Sequence, residues 1–282
     1  MLTHVTLVRF WFPDSLPIPW SQLTHLTLGS EDEPLCVPPY EFFETLRKCT
    51  ELTHLDIVHE NNGDDDDDDD YDDGEQASPQ DHIVLHNLQF LRLLEVPRDD
   101  QLFLQLVVPN LVNLTYAPPN DSLGTSTPTS SLPALQKCIT RSGCTITTFE
   151  LGPTDTSSQD VFGCLDSLPS LRELTIDVAG HFPRFQSAII DYFLPDGNRT
   201  SSDSVASDYK LPMLQRITIM GLKECEFVES LVSMIRFRCG FSSSTDLLAR
   251  LVVAAFDKDL YAVLETRLKD CIEAGLRLDV CG

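Results

Sequence analysis

The chain has 282 residues, 42% of them apolar, and a formal charge of −24 from 20 basic and 44 acidic side chains. That is enough apolar material for a substantial core. The charge excludes the basic footprint with which proteins displace counterions from DNA or RNA, and a negative membrane surface would repel it. Neither nucleic acid nor membrane is therefore expected as a partner. The stretch Asp64 to Glu75 holds ten acidic residues and no basic one, yet without it −14 remains, so the acidity is general.

The first residues, MLTHVTLVRFWFPD, have no cationic start and alternate apolar with polar side chains, unlike a signal peptide. No run approaches the ~20 apolar residues of a membrane span. Nine cysteines, at 36, 49, 138, 144, 164, 225, 239, 271 and 281, form no C-x-x-C pair and are odd in number. Free, mostly buried thiols in a reducing compartment follow, so cytoplasm or nucleus is expected.

From residue 2 onward one strand pattern recurs, apolar-x-x-apolar-x-apolar. Leu2 to Leu7 (LTHVTL), Leu23 to Leu28 (LTHLTL) and Leu52 to Ile57 (LTHLDI) are near copies. Looser ones start at Leu88, Leu111, Ile146, Leu171, Leu214 and Leu248. This is the strand segment of a leucine-rich repeat. Between strands the apolar spacing changes from two to three and four, as on a helix face. Phe42, Phe43, Leu46 and Cys49 form such a set, as do Leu132, Leu135, Cys138 and Ile139. Further sets are Val161, Phe162, Leu165 and Leu168, then Phe185, Ala188, Ile189 and Phe193, then Phe227 to Ile235. A last, long helix over 257–274 carries Leu260, Val263, Leu264, Leu268, Cys271 and Ile272, followed by a strand with Leu276, Leu278 and Val280.

Strand then helix, repeated, predicts an α/β fold: a leucine-rich-repeat solenoid over 1–282, an irregular horseshoe with parallel strands on the concave face and helices on the convex face. Residues 257–282 would cap it. The repeat spacing is uneven because three polar stretches interrupt it: an acidic insertion at 60–81, expected to be disordered, and flexible loops at 119–131 and 195–210. Prolines at 109, 169 and 212 lead into strands and should hold the residue before them extended. Pro133 instead suits the first turn of a helix. The usual repeat has Asn or Cys eight residues after its first leucine, where it bonds the turn backbone. Here those positions hold Phe10, Glu31, Glu60, Val96, Pro119, Thr154, Ala179 and Leu222, so the turns must be satisfied otherwise. Leu2, Val5 and Leu7 would lack a preceding repeat, and a longer architecture or a partner is expected to cover that edge.

Side chains between the inward leucines should form columns on the concave face. One column reads His4, His25, His54, Phe90, Asn113, Thr148, Glu173, Arg216; its neighbour reads Thr6, Thr27, Asp56, Arg92, Thr115, Glu150, Thr175, Thr218. Aromatic and arginine side chains dominate interface energetics, so His4, His25, His54, Phe90, Arg92, Asn113, Glu150, Glu173 and Arg216 are the candidate protein-binding residues. The three histidines also suggest zinc, but stacked side chains point in parallel rather than toward one centre, which favours a polar face over a metal site. A metal-dependent enzyme on this column is the remote alternative. No catalytic residue, metal or cofactor is assigned. The chain has no G-x-G-x-x-G, no P-loop and no G-x-S-x-G, and His59-Glu60 has Gly63 where H-E-x-x-H needs its second histidine. The aspartate run fails as an EF-hand, with Tyr71 and Gln80 at ligand positions. Ser78 and serines 201, 202, 204 and 207 are phosphorylation candidates by composition.

The strings LPIPWSQLTHLTLG (16–29), PPYEFFETLRKCTELTHLDI (38–57), SLPALQKCITRSGCTITTFEL (131–151) and DSLPSLRELTID (166–177) resemble the repeats of the large F-box/leucine-rich-repeat family of mushroom-forming fungi. The resemblance implies a target-recognition repeat domain of a substrate receptor for a cullin–RING ubiquitin ligase. In that family an F-box docks on the Skp adaptor. The sequence begins inside the repeat region, so the family's adaptor-binding residues have no counterpart here. Skp and cullin are expected partners only if an F-box lies upstream, and the protein target is unknown. The alternative is a repeat-only adaptor or inhibitor with no ligase link.

Overall fold

The structure, a computed structural model, describes residues 2–8, 16–29, 42–59, 82–96, 99–118, 131–153, 156–178, 183–194, 210–222, 228–240, 250–255 and 258–281. The expected insertion at 60–81 lies outside these residues, as do the five phosphorylation candidates and the two expected loops apart from Ser131 and Lys210. The chain divides into two compact units, Met1–Thr145 and Ile146–Gly282.

In the first unit the main strands are β1 (His4–Leu7), β2 (His25–Leu28), β3 (His54–Val58), β5 (Phe90–Leu94) and β7 (Asn113–Ala117). They lie side by side in that order, each parallel to the next. Two-residue strands β4 (Ile83–Val84) and β6 (Leu106–Val107) pair separately. The helices are α1 (Phe43–Lys48), α2 (Asp99–Gln105) and α3 (Leu132–Ser142). The leucines of the recurring pattern set the burial. In β2, Leu26 and Leu28 are buried while His25 and Thr27 stay half-exposed, and β3, β5 and β7 repeat the alternation. Each such leucine contributes roughly 1.5–3 kcal/mol. In β1 the corresponding Val5 and Leu7 are only half-buried.

The turns are satisfied by other side chains than the asparagine position predicts. Asn87 Nδ2 donates to the Thr50 carbonyl (3.1 Å) and Asn110 Nδ2 to the His86 carbonyl (2.7 Å), so a short asparagine ladder exists one residue before the leucine. The α3 helix opens with Pro133, as expected, and closes on Gly143 at φ +61°, whose N–H reaches Ile139 O. Arg141 joins α3 to the preceding elements by donating to Phe103 O (2.6 Å) and Leu106 O (2.7 Å). Inside the unit, Tyr116 donates to Oδ2 of the buried Asp99 at 2.6 Å. Burial pushes that carboxyl above its ordinary range, against the hydrogen bonds of Ser131 and Tyr116. The α2 helix and the β4–β6 pair were not predicted.

The second unit has strands β8 (Thr148–Leu151), β9 (Glu173–Asp177), β10 (Arg216–Leu222), β11 (Arg250–Ala255) and β12 (Arg277–Cys281), again consecutive and parallel. Between them run α4 (Ser158–Asp166), α5 (Pro183–Tyr192), α6 (Val228–Gly240), α7 (Lys258–Arg267) and α8 (Lys269–Glu273). Ser157 caps α4, its Oγ accepting from Asp160 N at 3.2 Å. The single helix expected over 257–274 is broken at Leu268, where ψ rises to 16°. The break follows burial: Leu264, Leu268 and Cys271 face inward, whereas Val263 is 42% exposed.

A second correction concerns Leu211, before Pro212. Proline disfavours the helical region for its predecessor, and an extended residue was expected. Leu211 instead sits at φ +51°. Arg238 holds this turn from α6, donating to the carbonyls of Lys210 and Leu211 while its guanidinium lies 5.1 Å from the Phe193 ring centre. The chain is thus α/β, with an all-parallel sheet in each unit. No helix among the described residues is long and apolar enough to cross a membrane.

Candidate functional site

In each unit one face of the sheet carries the side chains that alternate with the buried leucines. Strand pairing sets their columns. In the first unit His4, His25, His54, Phe90 and Asn113 are consecutive register partners, and beside them run Thr6, Thr27, Asp56, Arg92 and Thr115. In the second unit Thr148, Glu173 and Arg216 align, flanked by Glu150, Thr175 and Thr218. The register carries on to Arg250 and Arg277, two positions that sequence reasoning passed over. The signal is in the sequence: the copy that starts at Leu248 reads LARLVV, and its third residue is Arg250.

The four rings of the first unit stack. Centroids lie 3.9 Å apart for His4–His25, 4.0 Å for His25–His54 and 4.2 Å for His54–Phe90, with interplanar angles of 21°, 11° and 10°. Strands ~4.8 Å apart set the scale, and a tilt of the rings closes the gap to contact.

The threonine of each L-T-H triplet fixes its histidine. Thr3, Thr24 and Thr53 each place Oγ1 2.9 Å from Nδ1 of the following imidazole. Thr24 Oγ1 also lies 3.1 Å from Thr3 O, and Thr53 Oγ1 2.8 Å from Thr24 O. A hydroxyl has one hydrogen, so it serves either the carbonyl or the imidazole, and the ring's tautomer follows from that choice. In both cases Nδ1 is occupied.

Burial, then the neighbouring His54 and His4, push His25 below the usual imidazole value; burial, then His4, does the same for His54. Both imidazoles thus resist protonation more than a free imidazole does. The stacked rings are nearly parallel, so their lone pairs run side by side and do not meet at one ion. Among the described residues no group of three or more His, Cys, Asp or Glu side chains is arranged to hold a metal.

The charged candidates are already paired. Arg92 reaches Asp56 Oδ2 at 3.3 Å, and Arg216 reaches Glu173 Oε2 at 2.9 Å. Phe90 closes the ring stack and is 40% exposed. Asn113 and Glu150 lie half-exposed beside these groups. The described thiols offer no activated nucleophile. Burial pushes Cys49, Cys164 and Cys239 up to about 12 and Cys144 up to about 11, and raises Cys138 and Cys271 as well. No protein-family model matches the chain, and no curated protein matches it either.

Proposed function

We propose that the chain is a leucine-rich-repeat solenoid acting as a non-catalytic protein-binding module. In this reading it is the target-recognition part of an F-box-type substrate receptor in the cytoplasm or nucleus. The observation that carries the reading is the exposed sheet face of the first unit. There a rigid stack of four rings lies beside the Asp56–Arg92 pair. Rigid aromatic groups supply contact area at small entropic cost, and a stack already formed need not be ordered on binding.

The test is affinity capture from the source cells with the native chain and with a Phe90→Ala/Arg92→Ala variant. A partner held by the native chain and lost by the variant supports the module. Skp and cullin captured in the same complex support the ligase link. A target without them supports the repeat-only adaptor. Equal capture by both chains removes the face from consideration.

A further inference from the structure

We propose that Cys239 and Cys271 form a reversible disulfide that clamps α6 to α8 and holds the start of β12. The oxidant is a small-molecule disulfide, for which glutathione disulfide serves in cells. The six described cysteines are all free thiols. Among them Cys239 and Cys271 are the pair hydrogen-bonded to one another, with Cys239 donating. Three others are engaged by backbone carbonyls: Cys49 by Thr45 O (3.2 Å), Cys138 by Leu106 O (3.3 Å) and Cys144 by Ile139 O (4.0 Å).

The helices bring the pair together. Arg236 Nη2 donates to Arg267 O (2.8 Å) and reaches Asp270 Oδ1 (3.4 Å), and Arg267 meets Glu229 (2.7 Å). Residues three apart share a helix face, so Cys239 follows Arg236 along the face turned to α8. Cys271 follows Asp270 directly. Cys239 is half-buried, whereas Cys271 is 6% exposed. Solvent thus reaches one sulfur of the pair far more readily than the other.

That difference sets the order of events. The Cys239 thiolate attacks one sulfur of glutathione disulfide, whose S–S bond breaks and releases one glutathione. The Cys271 thiolate then attacks the Cys239 sulfur of the mixed disulfide, forming the protein S–S bond and expelling the second glutathione. Two protein thiols lose two electrons and two protons, and one glutathione disulfide is reduced to two glutathiones. Burial raises both thiols, so the first exchange is slow, but its equilibrium is not thereby shifted. The second exchange is intramolecular, between groups already in contact. A reducing glutathione pool keeps the pair open, and an oxidised one closes it.

The bridge acts beyond the two helices. Cys271 O accepts from Leu276 N at 2.9 Å, and Gly275, at φ +111°, turns the chain between α8 and β12. Leu276 is buried immediately before the strand. Fixing Cys271 to α6 fixes that entry, so openings of β12 that need α8 to detach are suppressed.

The test is equilibration of the full chain in glutathione buffers of rising oxidised fraction, then alkylation of the remaining thiols and peptide mass spectrometry. The expected first and most abundant cross-link is Cys239–Cys271, removed by dithiothreitol. In the bridged form the β12 amides should exchange with deuterium about tenfold more slowly than in the reduced form. The melting temperature should rise on the order of 5 °C. Cys239→Ser keeps a donor at the half-buried position, so it should leave the reduced melt unchanged and abolish both gains. Cys271→Ser should stop the reaction at a glutathione adduct on Cys239. Absence of the cross-link in the most oxidising buffer overturns the proposal. So does another cysteine pair cross-linking as readily, or β12 exchange that is equal in the two forms. None of these outcomes bears on the target-recognition reading, which rests on the sheet face of the first unit.

Discussion

The two units answer one geometric problem in different ways. Parallel strands bring equivalent side chains within contact of one another, so each column must hold groups that tolerate close neighbours of the same kind. The first unit fills its column with His4, His25, His54 and Phe90, whose flat rings stack face to face. The second fills it with Glu173 beside Arg216, which attract, and the register continues to Arg250 and Arg277. Ring stacking does not rest on opposite charges, so salt does little to it. An exposed ion pair is screened and adjustable.

The contrast fails if the shared register is wrong, and the largest expected effect tests that register. Leu55 and Leu174 occupy equivalent inward positions, each buried. Leu55→Asp and Leu174→Asp should each cost on the order of 4 kcal/mol or more by burying an unpaired carboxylate. Thermal melts should show shifts on the order of 10 °C. An unchanged melting temperature in either variant removes its strand from the scheme.

Next in size is Tyr116→Phe, which takes the hydroxyl from the buried Asp99 of the first unit. It should cost about 1.5–3 kcal/mol in denaturant titrations. Adding Asp99→Ala should recover part of the loss, because the buried carboxyl deprived of one of its donors is then gone.

The ring stack is smaller still. A double-mutant cycle with His54→Ala and Phe90→Ala should return a coupling of about 0.5–1.5 kcal/mol. Coupling near zero would make the rings neighbours only. The stack also sets a pH dependence. His25 and His54 titrate lower in the folded chain than the usual 6.5, so below that pH the unfolded chain binds more protons. Their contribution is intact above about 6.5 and is lost as pH falls toward the folded values. His25→Gln should flatten this slope in melts recorded between neutral and mildly acid pH. Last comes Glu173→Gln, which breaks a half-exposed ion pair. It should change stability by only about 0.2–1 kcal/mol, and salt should erase the difference.

The strands were legible because inward burial in a parallel stack is nearly binary: Leu23, Leu26 and Leu28 are all essentially inaccessible, and the pattern says so. The helix α3 was legible from Pro133 and four apolar residues at helical spacing. What escaped depends on partners distant in the chain. The α2 segment, DDQLFLQ, is too short to show a period, and it is set in place by Asp99 meeting Tyr116. No local rule gives Leu211 a positive φ; Arg238, 27 residues away, grips that turn. The break at Leu268 runs against leucine's own helix preference, and Leu264, Leu268 and Cys271 are buried on either side of it and at it. At the site, pattern placed His4, His25, His54 and Phe90 in one column. It gave their side chains as stacked and parallel, but not the role of the threonine before each histidine.

That Thr-His step has a consequence for how such a chain can change. Each strand presents to its successor what it receives from its predecessor: a carbonyl for the next threonine and a ring face for the next histidine. A strand bearing this dipeptide fits between any two like itself, and its removal leaves two surfaces that still match. Lengthening or shortening the face by whole units therefore needs no compensating substitution. In the first unit a tandem duplication has a ready place to go.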